Sequence, residues 1–453
     1  EYLHDFCKNK GKEKQWNKFV KEKLLKHLFG FEILMAPYAI SHLKLGMKLQ
    51  EYGFKFGKKD RLGIYLCNTL AEPTVPYKTP FAPWISDEGN AANKLKNKSP
   101  VMVILGNPPY KKISTTRTPW ADELLKEYRS VDGRPLKEKK IWLQDDYLKF
   151  LRFGHWKIEQ NGVGILAFIT NHGYLDNSTL RGMRQSLMKT FDQIFILNLH
   201  GNSKKSEKTP TGGIDENVFD ITQGVSIGIF VKTTKNNLPS KEIKYYDKWG
   251  LRNKKYKYLE INDVESTKWK TITPSGPNYY FVPKNWKHKS EFDLGWSIRD
   301  IFLEKNSGFV TARDKFVIDT RKSELESRIS EFANLRKSND EIGEKYSLHD
   351  TSSWSFSDAR KTLSKISSIQ SDMTTCLYRP FDVRHIFYST DILERPVYQI
   401  QQHLFKDNLA LLAIRPQSPT IDYSFVFCTN KITDQCAAGR KKVGAGTTYV
   451  FPL

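Results

Sequence analysis

Cysteine is scarce in this chain: five among 453 residues, at Cys7, Cys67, Cys376, Cys428 and Cys436. No two have CxxC spacing, and an odd, scattered set does not build a disulfide framework or a zinc module. Long apolar runs are absent too. No stretch is long enough to span a bilayer, and the first residues are not a signal peptide. There is no GxxxxGK[ST] P-loop, no internal repeat and no low-complexity tract. No group of His, Cys, Asp and Glu has metal-ligand spacing, so no metal is expected. These absences point to a reducing, cytoplasmic setting without a membrane partner. Acidic residues are also in deficit. Asp and Glu number 50 against 72 Lys and Arg, giving +22 and a pI near 9.5. Such a field attracts polyanions, nucleic acid above all, although a solvated basic surface would give the same count.

What is present is enough for real cores. Hydrophobic residues are 39% and aromatics 13%, and the length predicts two or more domains. The first half alternates helix and strand patterns. "KQWNKFVKEKLLKHLFGFEI" is helical, with Trp16, Phe19, Val20, Leu24 and Leu28 on one face, and runs through Gly30 into a short strand ending at Glu32. A helix follows Pro37 and stops at Gly53. "RLGIYLCNTL", "VMVILG", "VGILAFIT", "QIFILNLHG" and "GVSIGIFVK" read as strands. "IWLQDDYLKFLRFGHWKIEQNG" is an aromatic-rich amphipathic helix closed by Asn161-Gly162, and "STLRGMRQSLMKTF" is another helix. Alternation of this kind implies an α/β domain whose mostly parallel sheet is covered on both faces. The continuous apolar character of residues 101–105 and 163–169 predicts strands buried on both sides.

Past Lys232 the periodicity breaks into a Lys- and Tyr-rich stretch. The boundary is expected between Val231 and Lys244, giving a first domain over 1–235 and an α+β second domain over 236–453. Short β runs ("NYYFVP", "DKFVID", "SFVFCTN") and a polar helix over 323–337 are expected there. The chain starts at Glu1 rather than Met and stops on Phe451-Pro452-Leu453, so both ends are expected to be cuts through a longer protein.

The chemistry concentrates where the strand "VMVILG" meets Asn107-Pro108-Pro109-Tyr110. In an open parallel sheet, ligands sit beyond the carboxyl ends of the strands. The two prolines fix φ and remove two N–H donors, and Pro108 holds Asn107 extended. The result is a stiff corner that presents an amide oxygen and a proline carbonyl side by side, with a phenol ring beside them. Two acceptors suit an exocyclic NH2, and Tyr110 offers a flat surface for a planar base. Accepting both amine hydrogens frees a delocalised lone pair for in-line attack on an electrophilic methyl, so positioning and electrostatics would supply the catalysis. A Pro-rich turn without chemistry is the plainer alternative.

Here the residues reach a family. Asn107–Tyr110 resembles motif IV of the S-adenosylmethionine-dependent amino methyltransferases, and the motif order is similar to that of the γ-class adenine-N6 DNA enzymes. "HLFGFEILMAPYAISHLKL" resembles motif II, which makes Glu32 the acid for the cofactor's ribose hydroxyls. "RLGIYLCNTL" resembles motif III, with Asn68 facing the cofactor adenine. "GILAFITNHGYLD" resembles motif VI. "NVFDITQGVSIGIFVK" resembles motif VIII, with Phe219 as a second face for the flipped base. In the second half, "CLYRPFDVRHIFYS" and "LLAIRPQS" resemble the C-terminal specificity region of Type ISP restriction–modification enzymes, whose single polypeptides join nuclease, helicase, methyltransferase and target-recognition parts. The resemblance implies a Rossmann-like methyltransferase sheet, S-adenosylmethionine as cofactor, double-stranded DNA as partner, and nuclease and helicase domains upstream of Glu1.

The Gly-rich motif I of that family has no counterpart here. "QNGVGILAF" puts its glycines before a strand, and Gly444-Ala445-Gly446-Thr447 follows a polar stretch. The turn is expected upstream of Glu1, which leaves the sheet without its first strand. Asp145-Asp146 reads as a solvated helix face, and His172, His200 and His385 as capping or packing residues. The basic aromatic stretch over 244–258 is a candidate phosphate contact. Arg379, Arg384 and Arg415 could read guanines or pair with acids such as Asp382. Alternatives to adenine methylation are a DNA-binding module on an inactive methyltransferase scaffold, methylation of cytosine N4, and an NPPY enzyme acting on RNA or on protein glutamine.

Overall fold

In the computed structural model the described residues are 2–78, 83–110, 118–136, 145–234, 242–351, 354–366, 368–414, 425–439 and 446–453. They form two compact units, Glu1–Asn285 and Trp286–Leu453.

The first unit begins with a helix Tyr2–Asn9, followed by a helical run over residues 16–27 that includes a π turn at Val20–Leu24. It passes into strand β1 (Phe29–Glu32), a helix Met35–Glu51 and strand β2 (Gly63–Leu66). β1 and β2 pair in parallel as a separate two-stranded sheet, Glu32 opposite Leu66. After the helix Pro83–Lys98 comes β3 (Val103–Gly106). A small hairpin, β4 (Ser130–Val131) and β5 (Arg134–Pro135), precedes the helix Asp146–Asn161. That helix ends at Gly162 in the left-handed region, where glycine pays no Cβ penalty. Then follow β6 (Gly164–Asn171), the helix Arg181–Thr190, β7 (Gln193–His200), β8 (Val225–Lys232), β9 (Ile243–Asp247), the helix Arg252–Ile261 and β10 (Lys270–Ile272).

β3 and β6 to β10 make one six-stranded sheet in the order β10-β9-β7-β8-β6-β3. It is mixed, not mostly parallel. β3 runs parallel to β6 and β7 parallel to β9, but β8 lies antiparallel between β6 and β7, and β10 antiparallel to β9. β6 alternates buried and half-buried residues with strict period two. Its core-facing side packs with Leu148, Leu151 and Ile158 of the helix Asp146–Asn161.

Three expectations are corrected. Residues 101–105 are apolar, yet Val103 is 53% and Leu105 75% exposed, because β3 pairs with β6 alone among the described strands. Asp145 is buried at the start of its helix, and Asp146 lies 3.6 Å from the buried ammonium of Lys149, so the pair is not a solvated face. The boundary at 235/236 also moves, because the sheet continues through β9 and β10 to a unit that ends at Asn285. The tail of that unit is held by Arg184, which is fully buried. Its guanidinium donates to the carbonyls of Tyr174 and Asn177 at 2.7 and 2.9 Å, and to those of Asn278 and Tyr279 at 2.5–3.0 Å. Residues 279–282 form no strand; Phe281 instead donates its N–H to Leu175 O and buries its ring.

The second unit carries two four-stranded sheets. β11 (Asn306–Ser307), β18 (Tyr449–Pro452), β15 (Ala410–Ala413) and β16 (Val426–Thr429) form one. β12 (Ile318–Asp319), β14 (Asp382–Phe387), β13 (Met373–Arg379) and β17 (Ile432–Thr433) form the other. One core cluster draws on both, with Cys376, Ile386, Leu412 and Val450, and on the helices Lys322–Ala333 and Phe356–Leu363. The expected polar helix over 323–337 thus stops at Ala333. No helix among the described residues is long and apolar enough to cross a membrane.

Candidate functional site

β1 and β3 each pair on one side only among the described strands, and residues from both line one cavity of about 540 Å³. That volume lies in the range of small-molecule sites. Its polar wall holds Glu32, Asn68, Asn107 and the buried Lys96 and Lys157; its apolar wall includes Phe31, Leu105, Phe150 and Phe168. Five of the residues singled out from the sequence (Glu32, Asn68, Asn107, Pro108 and Pro109) therefore meet at one cavity.

Each arrives there for a local reason. Glu32 ends β1, and its Oε1 accepts the N–H groups of Ile33 (2.8 Å) and Leu34 (2.9 Å), which open the following helix. Its second oxygen meets no donor among the described residues. Asn68 turns on itself, with Oδ1 accepting the Leu70 N–H at 2.9 Å, while its carbonyl accepts from Lys96 Nζ at 2.7 Å. Burial pushes the Lys96 ammonium below its ordinary pKa. Gly106 precedes Asn107 where a Cβ would fall 2.7 Å from the Phe168 ring, so the chain passes over that ring only without a side chain. Asn107 is exposed to the cavity and its amide has no hydrogen-bond partner among the described residues. Pro108 is buried and anchors the corner.

Tyr110 sits behind this corner. Its hydroxyl donates to Ile169 O at 3.3 Å, and burial pushes the phenol pKa up to about 12, which keeps it neutral. The ring faces Phe219 at 5.9 Å between centroids, tilted by 59°. Phe219 is the second sequence-picked aromatic, and the fold brings it across from a loop more than a hundred residues away in the chain.

The residues that hold Phe219 were missed in the sequence. Asn217 accepts the Phe219 N–H at 2.9 Å and donates to Gly201 O and Gln223 O. The helix Arg252–Ile261 then clamps the loop. Arg252 donates to Asn217 O and Phe219 O and pairs with Asp220. Lys255 donates to Leu199 O and Glu216 O and pairs with Asp215 at 2.8 Å, both side chains fully buried. Tyr256 donates to Val218 O. The stretch over 244–258 that reads as a phosphate contact is therefore largely structural: Tyr245 is core, and Lys244 donates to Thr271 Oγ1. A charged residue followed by aromatics at helical spacing was the available signal, but its partners lie tens of residues away.

In the second unit Arg379 pairs with Asp434 at 2.7 Å and Arg384 with Asp382 at 2.8 Å. Both guanidinium groups stack on Tyr378, at 3.8 and 4.4 Å. The acid-pairing alternative is the one observed for these two. Arg415 and Gly444 lie outside the described residues. All five cysteines are free thiols.

Residues 300–453 match the family model of the Type ISP C-terminal specificity domain. Among solved structures the chain is similar in fold to a nuclease-deletion mutant of the Type ISP restriction-modification enzyme LlaGI in complex with a DNA substrate mimic. That likeness has 21% identity and a TM-score of 0.63 over 100% of this chain and 38% of that one. It is similar to the ATP-dependent Type ISP restriction-modification enzyme LlaBIII bound to DNA, at 23% identity and TM-score 0.63 over 100% of this chain and 31% of that one. It is also similar to DrdV in a DNA complex, at 22% identity and TM-score 0.60 over 96% and 44%. The chain spans less than half the length of each. No curated protein sequence matches it.

Proposed function

We propose that this chain is the modification and target-recognition portion of a restriction–modification enzyme, and that it methylates adenine N6 in duplex DNA with S-adenosylmethionine. The observation that carries the reading is the meeting of Glu32, Asn68 and an Asn107 amide unpartnered among the described residues at one cavity, with Tyr110 facing Phe219 behind it. The Type ISP specificity match over 300–453 and the net charge of +22 support duplex DNA as the partner.

The residues fit the cofactor in part. The free oxygen of Glu32 is placed to accept ribose hydroxyls, and the apolar wall suits an adenine ring beside Asn68. No Gly-rich turn for the methionine end is found among the described residues that line the cavity. When bound, the cofactor supplies a sulfonium methyl that passes to the amine nitrogen, which then loses a proton.

The chain's own residues do the rest. The Asn107 amide oxygen and the Pro108 carbonyl accept the two hydrogens of the target amine and orient its lone pair. The base must leave the duplex, at a cost of a few kcal/mol, and Tyr110 and Phe219 offset part of this by stacking. A planar base held between two rings needs them about 7 Å apart, twice the carbon contact distance. The pair at 5.9 Å opens by about 1 Å and turns parallel on binding. Neutral Tyr110 adds no charge beside the base.

The test is labelled methyl transfer to duplex DNA by the full-length protein. Asn107→Ala and Tyr110→Ala are each expected to lower the rate by about a hundredfold or more while DNA retention in a gel-shift assay persists. Incorporation that survives both substitutions removes the assignment. Transfer absent from the wild-type protein, with DNA binding intact, leaves a specificity module on a methyltransferase scaffold.

A further inference from the structure

β6 and β7 run parallel on either side of β8, so their carboxyl ends lie at the same edge of the sheet. His172 follows the end of β6 and His200 closes β7. The register of β7 shifts between Asn198 and His200, and His200 takes a left-handed φ of 53°. A bulge of this kind re-aims a side chain, and histidine is among the few residue types enriched at such φ. The His200 ring is turned under Trp249, stacked at 3.3 Å and 15°.

Each imidazole donates through one nitrogen, and His172 Nε2 also accepts from Asn202 Nδ2 at 3.3 Å. His200 Nε2 donates to Asp247 Oδ1 at 2.6 Å, and His172 Nδ1 donates to Asn198 Oδ1 at 3.2 Å. The other nitrogens carry the lone pairs. His200 is only 6% exposed, yet its Nδ1 has no hydrogen-bond partner among the described residues. It faces Glu207 Oε1 at 3.8 Å. The Glu207 carboxylate is oriented by its Oε2, which accepts the Asn202 N–H at 2.8 Å. His172 lies flat against Gly224, where a Cβ would fall 2.3 Å from the ring. One ligand atom each from His172, His200 and Glu207 lies within 4.8 Å of the other two. Two lone pairs and a carboxylate thus converge in a buried space, an arrangement that calls for a cation at its centre.

We propose that His172, His200 and Glu207 bind a divalent transition-metal ion of the zinc class, with Asn198 and Asp247 orienting the two imidazoles from outside. Imidazole and carboxylate are that ion's ordinary ligands, and a hydrogen-bonded second nitrogen is the usual support of a metal-bound histidine. Ligand atoms on one tetrahedral zinc lie about 3.4 Å apart, so the set contracts by about 1 Å. Glu207, on a loop, supplies most of that movement. Asn202 Nδ2, 3.3 Å from His172 Nε2, turns aside. A fourth position is open to water. The ion ties the 201–224 loop, which carries Phe219, to the ends of both strands. Binding of the ion itself does not require methyl transfer.

The test uses the whole chain, stripped with chelator and reloaded with zinc chloride, with retained metal measured after dialysis. Cobalt(II) loading provides a second readout, through the visible bands of a low-coordinate ion bound to nitrogen and oxygen. Wild type is expected to retain about one equivalent. Glu207→Gln and His172→Gln lose it, and Asp247→Asn weakens it by about tenfold to a hundredfold. The exposed control variants His288→Gln and Cys428→Ser retain it. Circular dichroism verifies folding, and the cobalt spectrum of wild type requires no variant. Failure of the folded wild type to retain an ion, retention unchanged in Glu207→Gln, or loss in either control overturns the assignment. A protonated His200 paired with Glu207 would then fill the space.

Discussion

Lys255→Met is the most informative single substitution in the first unit. The sequence offers Lys255 as a phosphate contact, whereas the structure buries it completely beside Asp215. Its ammonium donates to Leu199 O at 2.7 Å, Glu216 O at 2.5 Å and Asp215 Oδ1 at 2.8 Å. Burial pushes the Lys255 pKa down, against the opposing pull of the Asp215 carboxylate. Methionine fills a similar volume and removes all three donations. Breaking a buried pair from one side costs about 3–5 kcal/mol. Asp215 keeps the N–H groups of Gly201 and Gly250, both at 2.7 Å, so the lower end, about 3 kcal/mol, applies. In a unit of this size that lowers the melting temperature by roughly 6–12 °C. Hydrogen exchange followed by mass spectrometry should show residues 197–200 and 215–219 opening first, since these are the segments that Lys255 joins. Asp215→Asn added to Lys255→Met should cost less than the sum of the two single changes, with a coupling above about 0.5 kcal/mol. At a temperature where the variant is folded, the salt dependence of DNA binding should equal that of wild type. A slope reduced by about one, with stability unchanged, would mean that Lys255 neutralises a phosphate, and the structural account would be refuted.

Arg184→Leu leaves four carbonyls without their donor, that of Tyr174 buried and the others part-buried, at about 3 kcal/mol, and limited proteolysis should then cut first near residues 278–281; wild-type resistance would contradict this. Arg184→Lys should not rescue it, since one ammonium lacks the planar fork. Thiol labelling at pH 8 should modify the exposed Cys428 quickly. Cys67, pushed up to about 11 by burial, and Cys376, pushed up further, should react only in denaturant; rapid native labelling of Cys376 would contradict this. Glu331 is held down to about 2 by the Lys337 and Lys345 ammonium groups and the Tyr346 hydroxyl. Its folded pKa lies below its unfolded value, so its stabilisation is present above about pH 4.3 and fades as pH falls towards 2. The gap in urea midpoint between wild type and Glu331→Gln should close over that window and shrink in high salt; a gap independent of pH would contradict this.

The parts of the candidate site that could be read from the sequence are those set by local covalent geometry. Two prolines after an apolar strand define a stiff corner whatever surrounds it, and Asn107 stands in the cavity as that corner implies. Strand β6 and the helix Asp146–Asn161 were equally legible, since period and cap lie within the segment. β9 was not. In "IKYYD" Ile243 and Tyr245 point inward and Lys244 outward, yet the flanking lysines hid a period-two pattern over five residues. The shift in composition near Lys232 falls between β8 and β9, which belong to one sheet. The metal-ligating triad was illegible for a different reason. His172, His200 and Glu207 follow no ligand spacing, and only antiparallel insertion of β8 between β6 and β7 brings two strand ends together.

That insertion also explains why the aromatic pair and the histidine triad share one loop. β8 enters from residues 201–224, so the connection from β7 must cross the carboxyl edge of the sheet before turning back. Crossing there carries Glu207 past His172 and His200, and then Phe219 past Tyr110. Arg252, Lys255 and Tyr256 hold the far end of the crossing through its backbone carbonyls, and Glu207 holds the near end through Asn202. A loop pinned at both ends by buried polar contacts loses little further entropy when a base enters between the rings. Loosening either end should therefore weaken capture of a flipped base without touching Asn107, a dependence that 2-aminopurine fluorescence in the Lys255→Met and Glu207→Gln variants would register as weaker flipping at unchanged duplex affinity. Equal flipping in both variants would separate the loop's anchoring from the base pocket.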